Sequence, residues 1–109
     1  MTSRFPCPFL QAEVELNDER ERHITEHHPD LLPAHRRCIL ETLADPDEVR
    51  CSLRFGNARL FSRWFDDLRG GKYVVVVVVS ELEARARHWI ITAYMARKLA
   101  GGVVEWARS

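Results

Sequence analysis

Lys72-Tyr73-Val74-Val75-Val76-Val77-Val78-Val79-Ser80 decides the fold of this chain. Six consecutive valines lose side-chain freedom in a helix and pack well on a pleated surface. A continuous β-branched run of this length reads as a central strand covered on both faces. Asp66 to Gly71 (DDLRGG) precedes it and reads as a hairpin connection. Arg59 to Phe65 lies before that turn. Arg59, Phe61, Arg63 and Phe65 alternate with Leu60, Ser62 and Trp64, so a two-sided strand is expected. Another period-two segment opens at Glu48, with Val49, Cys51, Leu53 and Phe55 alternating with Arg50, Ser52 and Arg54. It runs into the Gly56-Asn57 turn signal. On the other side of the valines, Glu81 to Arg85 is a polar turn. His88 to Met95 is the last strand of the group, with His88, Ile90, Thr92 and Tyr94 on one face.

The N-terminal half reads differently. Residues 1–11 look like an irregular arm, since Pro6 and Pro8 bar a helix. Ala12 to Leu16 alternates as a short edge strand. Asn17 offers an N-cap to a helix from Asp18 to about His28, with Asp18, Glu19 and Glu21 placing negative charge at its positive end. Pro29 stops that helix. A second helix is expected from Leu32 or Pro33 to Leu43, before the Ala44-Asp45-Pro46-Asp47 turn. The fold class is therefore α+β: two helices packed on a twisted antiparallel sheet of four to five strands. The 109 residues make one domain, with a core at 12–96 and a tail at 97–109.

Composition narrows the function. Apolar residues are 46% and charged residues 29%, values that exclude collagen, coiled coil and disorder. No stretch approaches the roughly 20 apolar residues of a membrane span, and the N-terminus lacks the apolar region of a signal peptide. A cytoplasmic location is expected. Cys7, Cys38 and Cys51 are odd in number and widely spaced, which reads as reduced thiols. The net charge is zero, yet residues 1–48 carry −6 and residues 49–109 carry +6. Such asymmetry marks either a partner surface or two halves that neutralise each other on folding.

His23-Ile24-Thr25-Glu26-His27 matches the HxxEH zinc signature. The chain is much smaller than enzymes that use it, and no metal is assigned. The same two imidazoles, four apart on one helical face, suit general acid–base work near neutral pH. His28 reads as a helix-end residue. Arg59 and Arg63 on one strand, with His88, Thr92 and Tyr94 on another, would place cations, hydroxyls and imidazole together if the two faces coincide. That set suits cleavage of RNA. A base takes the 2′-OH proton, an acid protonates the leaving 5′-oxygen, and cations hold the phosphate.

The helix with His23-Ile24 and His27-His28-Pro29, the Leu43-Ala44-Asp45-Pro46-Asp47 turn and the Ile91-Thr92-Ala93-Tyr94 strand form a familiar pattern. It resembles the phage-barnase-like branch of the barnase–EndoU–colicin–RelE group of small ribonucleases, over roughly residues 12–96. The resemblance implies a metal-independent endoribonuclease, toxin-like or associated with phage and mobile elements, that needs no cofactor. It implies His23, His27, Arg63, Thr92 and Tyr94 as catalytic positions. Arg54, Arg59, Lys72 and His88 are the expected substrate-binding residues. RNA is the expected partner, together with an antitoxin-like protein. The alternative is a non-catalytic RNA- or protein-binding module of the same fold.

Overall fold

The valine strand is the middle one of seven in a mixed sheet. The computed structural model describes residues 1–109. In chain order the elements are β1 (Ser3–Cys7), a 3-10 turn (Pro8–Leu10), β2 (Ala12–Leu16), α1 (Asp18–His27) and α2 (Arg36–Ala44). β3 (Glu48–Cys51), β4 (Ala58–Phe65), β5 (Lys72–Glu81), β6 (Arg87–Ala96) and β7 (Val103–Ala107) follow. The strands lie in the order β1-β2-β6-β5-β4-β3-β7. The α+β class stands, and the sheet is larger than the expected four to five strands.

Both additional strands come from the segments read as an irregular arm and a tail. The arm at 1–11 contains β1, paired antiparallel with β2 from Ser3↔Leu16 to Cys7↔Ala12. Pro6 excludes a helix but is tolerated here, because an edge strand does not need every N–H for pairing. The tail at 97–109 contains β7, which pairs with β3 at the opposite edge. The sheet is also not purely antiparallel. β2 meets β6 in parallel at Glu15↔Trp89.

The link from β6 to β7 must pass β5, β4 and β3. Four strand spacings of about 4.8 Å each are close to the full reach of six extended residues. Gly101 and Gly102 end this link with φ of 80° and 74°. A Cβ on Gly102 would lie 2.6 Å from the Cys51 carbonyl oxygen, so only glycine lets β7 close on β3.

The two faces of β5 have different neighbours. Val74, Val76 and Val78 are fully or almost fully buried on an inner face with Phe61, Phe65, Ile90 and Ala93. α2 packs against β1, β4 and β5, and α1 runs along β6. On the outer face Val75 is buried, while Val77 and Val79 are only half-buried. The expectation of a strand covered on both faces is thus corrected. There is one layer of helices, and a short link alone crosses the other side.

Local signals explain most boundaries. Asn17 caps α1 by accepting from the Arg20 N–H at 2.8 Å. α2 starts at Arg36, later than the expected Leu32 or Pro33. Leu31 and Leu32 are instead fully buried in turns held by Leu31 N–H to His28 O at 3.0 Å and His35 N–H to Leu31 O at 2.8 Å. Burial of two leucines outweighs an extra helical turn. β3 ends at Cys51. The Ser52 hydroxyl accepts from the N–H groups of Arg54 and Phe55, each at 3.2 Å, and leaves Leu53 and Phe55 exposed in a loop.

Gly102→Ala should therefore cost about 1–3 kcal/mol in urea unfolding. Amide exchange should accelerate across Val103–Ala107 and leave β5 unchanged. Unaltered protection of β7 would show that its approach to β3 does not depend on this glycine.

Candidate functional site on the outer face of the sheet

Register decides which polar residues can meet. One row across the sheet joins Glu48, Ser62, Val75 and Tyr94. The next joins Arg50, Leu60, Val77 and Thr92. Both rows lie on the outer face. Just beyond the second row β6 carries a bulge: Val77 pairs with Thr92 while Val78 pairs with Ile90, so Ile91 is the extra residue. The bulge reverses the parity of β6. His88 and Ile90 share the inner face, and Thr92 and Tyr94 share the outer one.

The expected coincidence of faces is corrected on that ground. Arg59 pairs in register with Val78, and Arg63 with Val74, so both arginines lie on the inner face, away from Thr92 and Tyr94. Both are also engaged. Arg59 Nε donates to Glu105 Oε1 at 2.9 Å. Arg63 donates to the Asp45 carbonyl at 2.6 Å and to its carboxylate at 3.1 Å. His88 is buried, with Nδ1 2.6 Å from the Ser80 hydroxyl. Burial, and secondarily the charge of Arg59, pushes its pKa down, so the ring is neutral at pH 7. Arg54 is exposed in the β3–β4 loop, and Lys72 donates to the Arg69 carbonyl at 3.2 Å at the start of β5. Neither is in register with the Thr92–Tyr94 face.

The outer face joins Tyr94 to residues that were not expected in a site. Arg50, Leu60, Ser62, Val75, Tyr94 and Lys98 line a small cleft of about 80 Å³ beneath the β6–β7 link. Arg50 donates to Glu48 at 2.8 Å and to the Gly101 carbonyl at 3.1 Å, which ties that link down. Lys98 is exposed and has no ion-pair partner. The cleft is well below the roughly 300 Å³ of an enclosed small-molecule pocket. It suits one polar group of a larger ligand lying across the face. Strand parity alone carried the signal for Arg50 and Ser62, which alternate with the core residues Val49 and Phe61 beside them. The bulge hid which other strand they would join.

Of the helical imidazoles, His28 makes ring contact with Tyr94, at 6.0 Å between centroids and 40° between planes. His23 and His27 stack on each other instead, 4.1 Å apart. His28 caps the C-terminus of α1, its N–H donating to the Ile24 carbonyl at 2.7 Å. Burial raises the Tyr94 pKa, so its phenol stays protonated and can donate a hydrogen bond. No three or more His, Cys, Asp or Glu side chains converge as a metal-ligand group, so the HxxEH pattern gathers no third ligand.

The opposite charges of the two halves meet. Arg50 pairs with Glu48, Arg63 and Arg108 with Asp45, and Arg87 with Glu15. No helix is long and apolar enough to cross a membrane. No family model, curated protein or solved structure matches the chain.

The neutral, desolvated His88 has a pH signature. In the unfolded chain this imidazole titrates near its ordinary pKa of about 6.5. Below that value the unfolded chain takes up a proton that the folded chain refuses, so stability falls as pH falls. Wild type should lose more unfolding free energy between about pH 7.5 and about pH 5.5 than His88→Gln does. Equal losses would mean that the ring at 88 is not desolvated.

Proposed function

We propose that this protein is an endoribonuclease that needs no metal, with its site on the outer sheet face around Tyr94. The observation that carries the reading is the contact of the His28 imidazole with the Tyr94 ring. It lies at the edge of a face that also bears Thr92, Ser62, Arg50 and Lys98. An imidazole beside a protonated phenol, with cations within the same patch, is a set that can move two protons and hold a phosphate.

In this reading Arg50 and Lys98 hold the scissile phosphate, and Tyr94 and Thr92 orient it. His28 takes the proton from the ribose 2′-OH. The 2′-oxygen forms a bond to phosphorus, and the bond from phosphorus to the 5′-oxygen breaks. The departing oxygen takes the Tyr94 phenolic proton, which solvent replaces. A phenol remains a much stronger acid than a ribose alcohol, even with its pKa raised by burial. The products are a 2′,3′-cyclic phosphate and a free 5′-OH. The resemblance to phage-barnase-like ribonucleases supports the same reaction, with the acid–base pair moved from His23 and His27 to His28 and Tyr94. A toxin-like role and an antitoxin-like partner remain part of this proposal.

The neutralised arginines favour a second reading, a binding module of the same fold. With Arg50, Arg59, Arg63, Arg87 and Arg108 paired to acids, the strand arginines are less free to release counterions from RNA. Such a module would bind an RNA or protein partner in a salt-sensitive manner and form no product.

Incubation with labelled mixed-sequence RNA in EDTA separates these readings. Wild type should cleave and leave cyclic phosphate ends. His28→Ala should lower the rate by about 10²-fold or more, and Tyr94→Phe by a comparable factor. Loss confined to a His23→Ala/His27→Ala double variant would move the chemistry to the opposite imidazoles. RNA binding by well-folded wild type without product would overturn the nuclease reading in favour of the binding module.

A further inference from the structure

The stacked imidazoles of α1 take no part in the outer-face site. We propose that His23 and His27 form a two-imidazole site for a divalent transition-metal ion of the zinc class. His27 is exposed and His23 half-buried. Residues four apart project from the same helical face. Here the two rings lie 4.1 Å apart between centroids with a 30° tilt. A zinc ion bound tetrahedrally at about 2.0–2.1 Å needs its two nitrogens about 3.3 Å apart. The rings stack nearly parallel as they stand, so both must swing about their side-chain torsions before their lone pairs converge on one ion.

Protonation supplies an independent argument. His27 Nδ1 lies 2.9 Å from the His23 carbonyl oxygen. A carbonyl can only accept, so Nδ1 carries the hydrogen. In the neutral ring Nε2 then holds the free lone pair. This is how metal-binding imidazoles are commonly held: one nitrogen donates to an oxygen, which fixes the tautomer and aims the other nitrogen at the ion. Neither ring takes part in a salt bridge.

Two protein ligands leave two coordination positions for water or an added ligand, which makes this an open site rather than a closed structural one. Its effect on the fold follows from α1 itself. Ile24 is the single buried residue of that helix. Little tertiary packing holds the last two turns, and an ion bridging residues 23 and 27 staples them. The site differs from the HxxEH enzyme pattern, since Glu26 has no part in it. It does not rest on the nuclease reading, because the readout is metal binding by the intact protein.

Zinc titration by calorimetry tests the site, with magnesium as the control ion. Wild type should take up one zinc per chain and gain thermal stability in zinc, and magnesium should do neither. His23→Ala and His27→Ala should each weaken zinc binding by about tenfold or more, and His35→Ala should leave it unchanged. Alanine favours the helix at exposed positions, so these variants should fold. Zinc binding unaffected in the His23→Ala/His27→Ala double variant would overturn the proposal. So would the absence of saturable binding by wild type in millimolar zinc.

Discussion

The register of β5 against its two neighbours is the constraint on which the remaining structure depends. Val74, Val76 and Val78 are locked into the inner face by Phe61, Phe65, Ile90 and Ala93. Because residues 74–79 are all valine, a one-residue slip of β5 would only exchange Val74, Val76 and Val78 for Val75, Val77 and Val79, so the alternation of β4 and β6 and the β4–β5 turn fix the register. Every side chain on β3, β4 and β6 is placed by that zipper. The outer-face rows from Glu48 to Tyr94 and from Arg50 to Thr92 are consequences of burying the opposite face. The inner-face arginines are also consequences. Arg59 and Arg63 share parity with Phe61 and Phe65, so their guanidinium groups emerge at the rim of the core and meet Glu105 and Asp45.

That placement gives the charge asymmetry a structural meaning. Asp45 caps α2 and holds both Arg63 of β4 and Arg108 beyond β7. Its carboxyl is held below the usual range, first by Arg108 and then by Arg63. Asp47 adds a bond to the Trp64 N–H at 2.8 Å. The Asp45-Pro46-Asp47 turn thus fastens the start of β3 to the last residues of β4 and to the end of the chain. These ion pairs are largely exposed, so each contributes little stability. On the outer face Arg50 is likewise paired, to Glu48, and Lys98 is the lining cation of the cleft that makes no ion pair.

The β6 bulge and the β6–β7 link together shape the outer face. The bulge brings Thr92 and Tyr94 onto it, and the link brings Lys98 across it. Neither feature stabilises the inner core. Bulges concentrate where a strand must re-aim a side chain, and this one sets the face of Tyr94, which meets His28 and lines the cleft.

The sequence by itself determined the α+β class, the central valine strand and α1 with its Asn17 cap. It also determined the β4–β5 hairpin and the turn at Asp45–Asp47. These follow from local chemistry: periodicity, β-branching, capping and turn residues act over a few positions. Tertiary structure alone decided the rest. β1 and β7 carry proline, glycine or little periodicity, and become strands because β2 and β3 offer open edges to pair with. Leu31 and Leu32 leave the helical path because the core has room for them. The parity of β6 breaks at Ile91, which no residue pattern marks, so His88 lies inside and Tyr94 outside. The candidate site was legible as residue types, a helical imidazole, a strand tyrosine and threonine, and cations. Which of them share a face depends on register, and register is set by packing across the whole sheet.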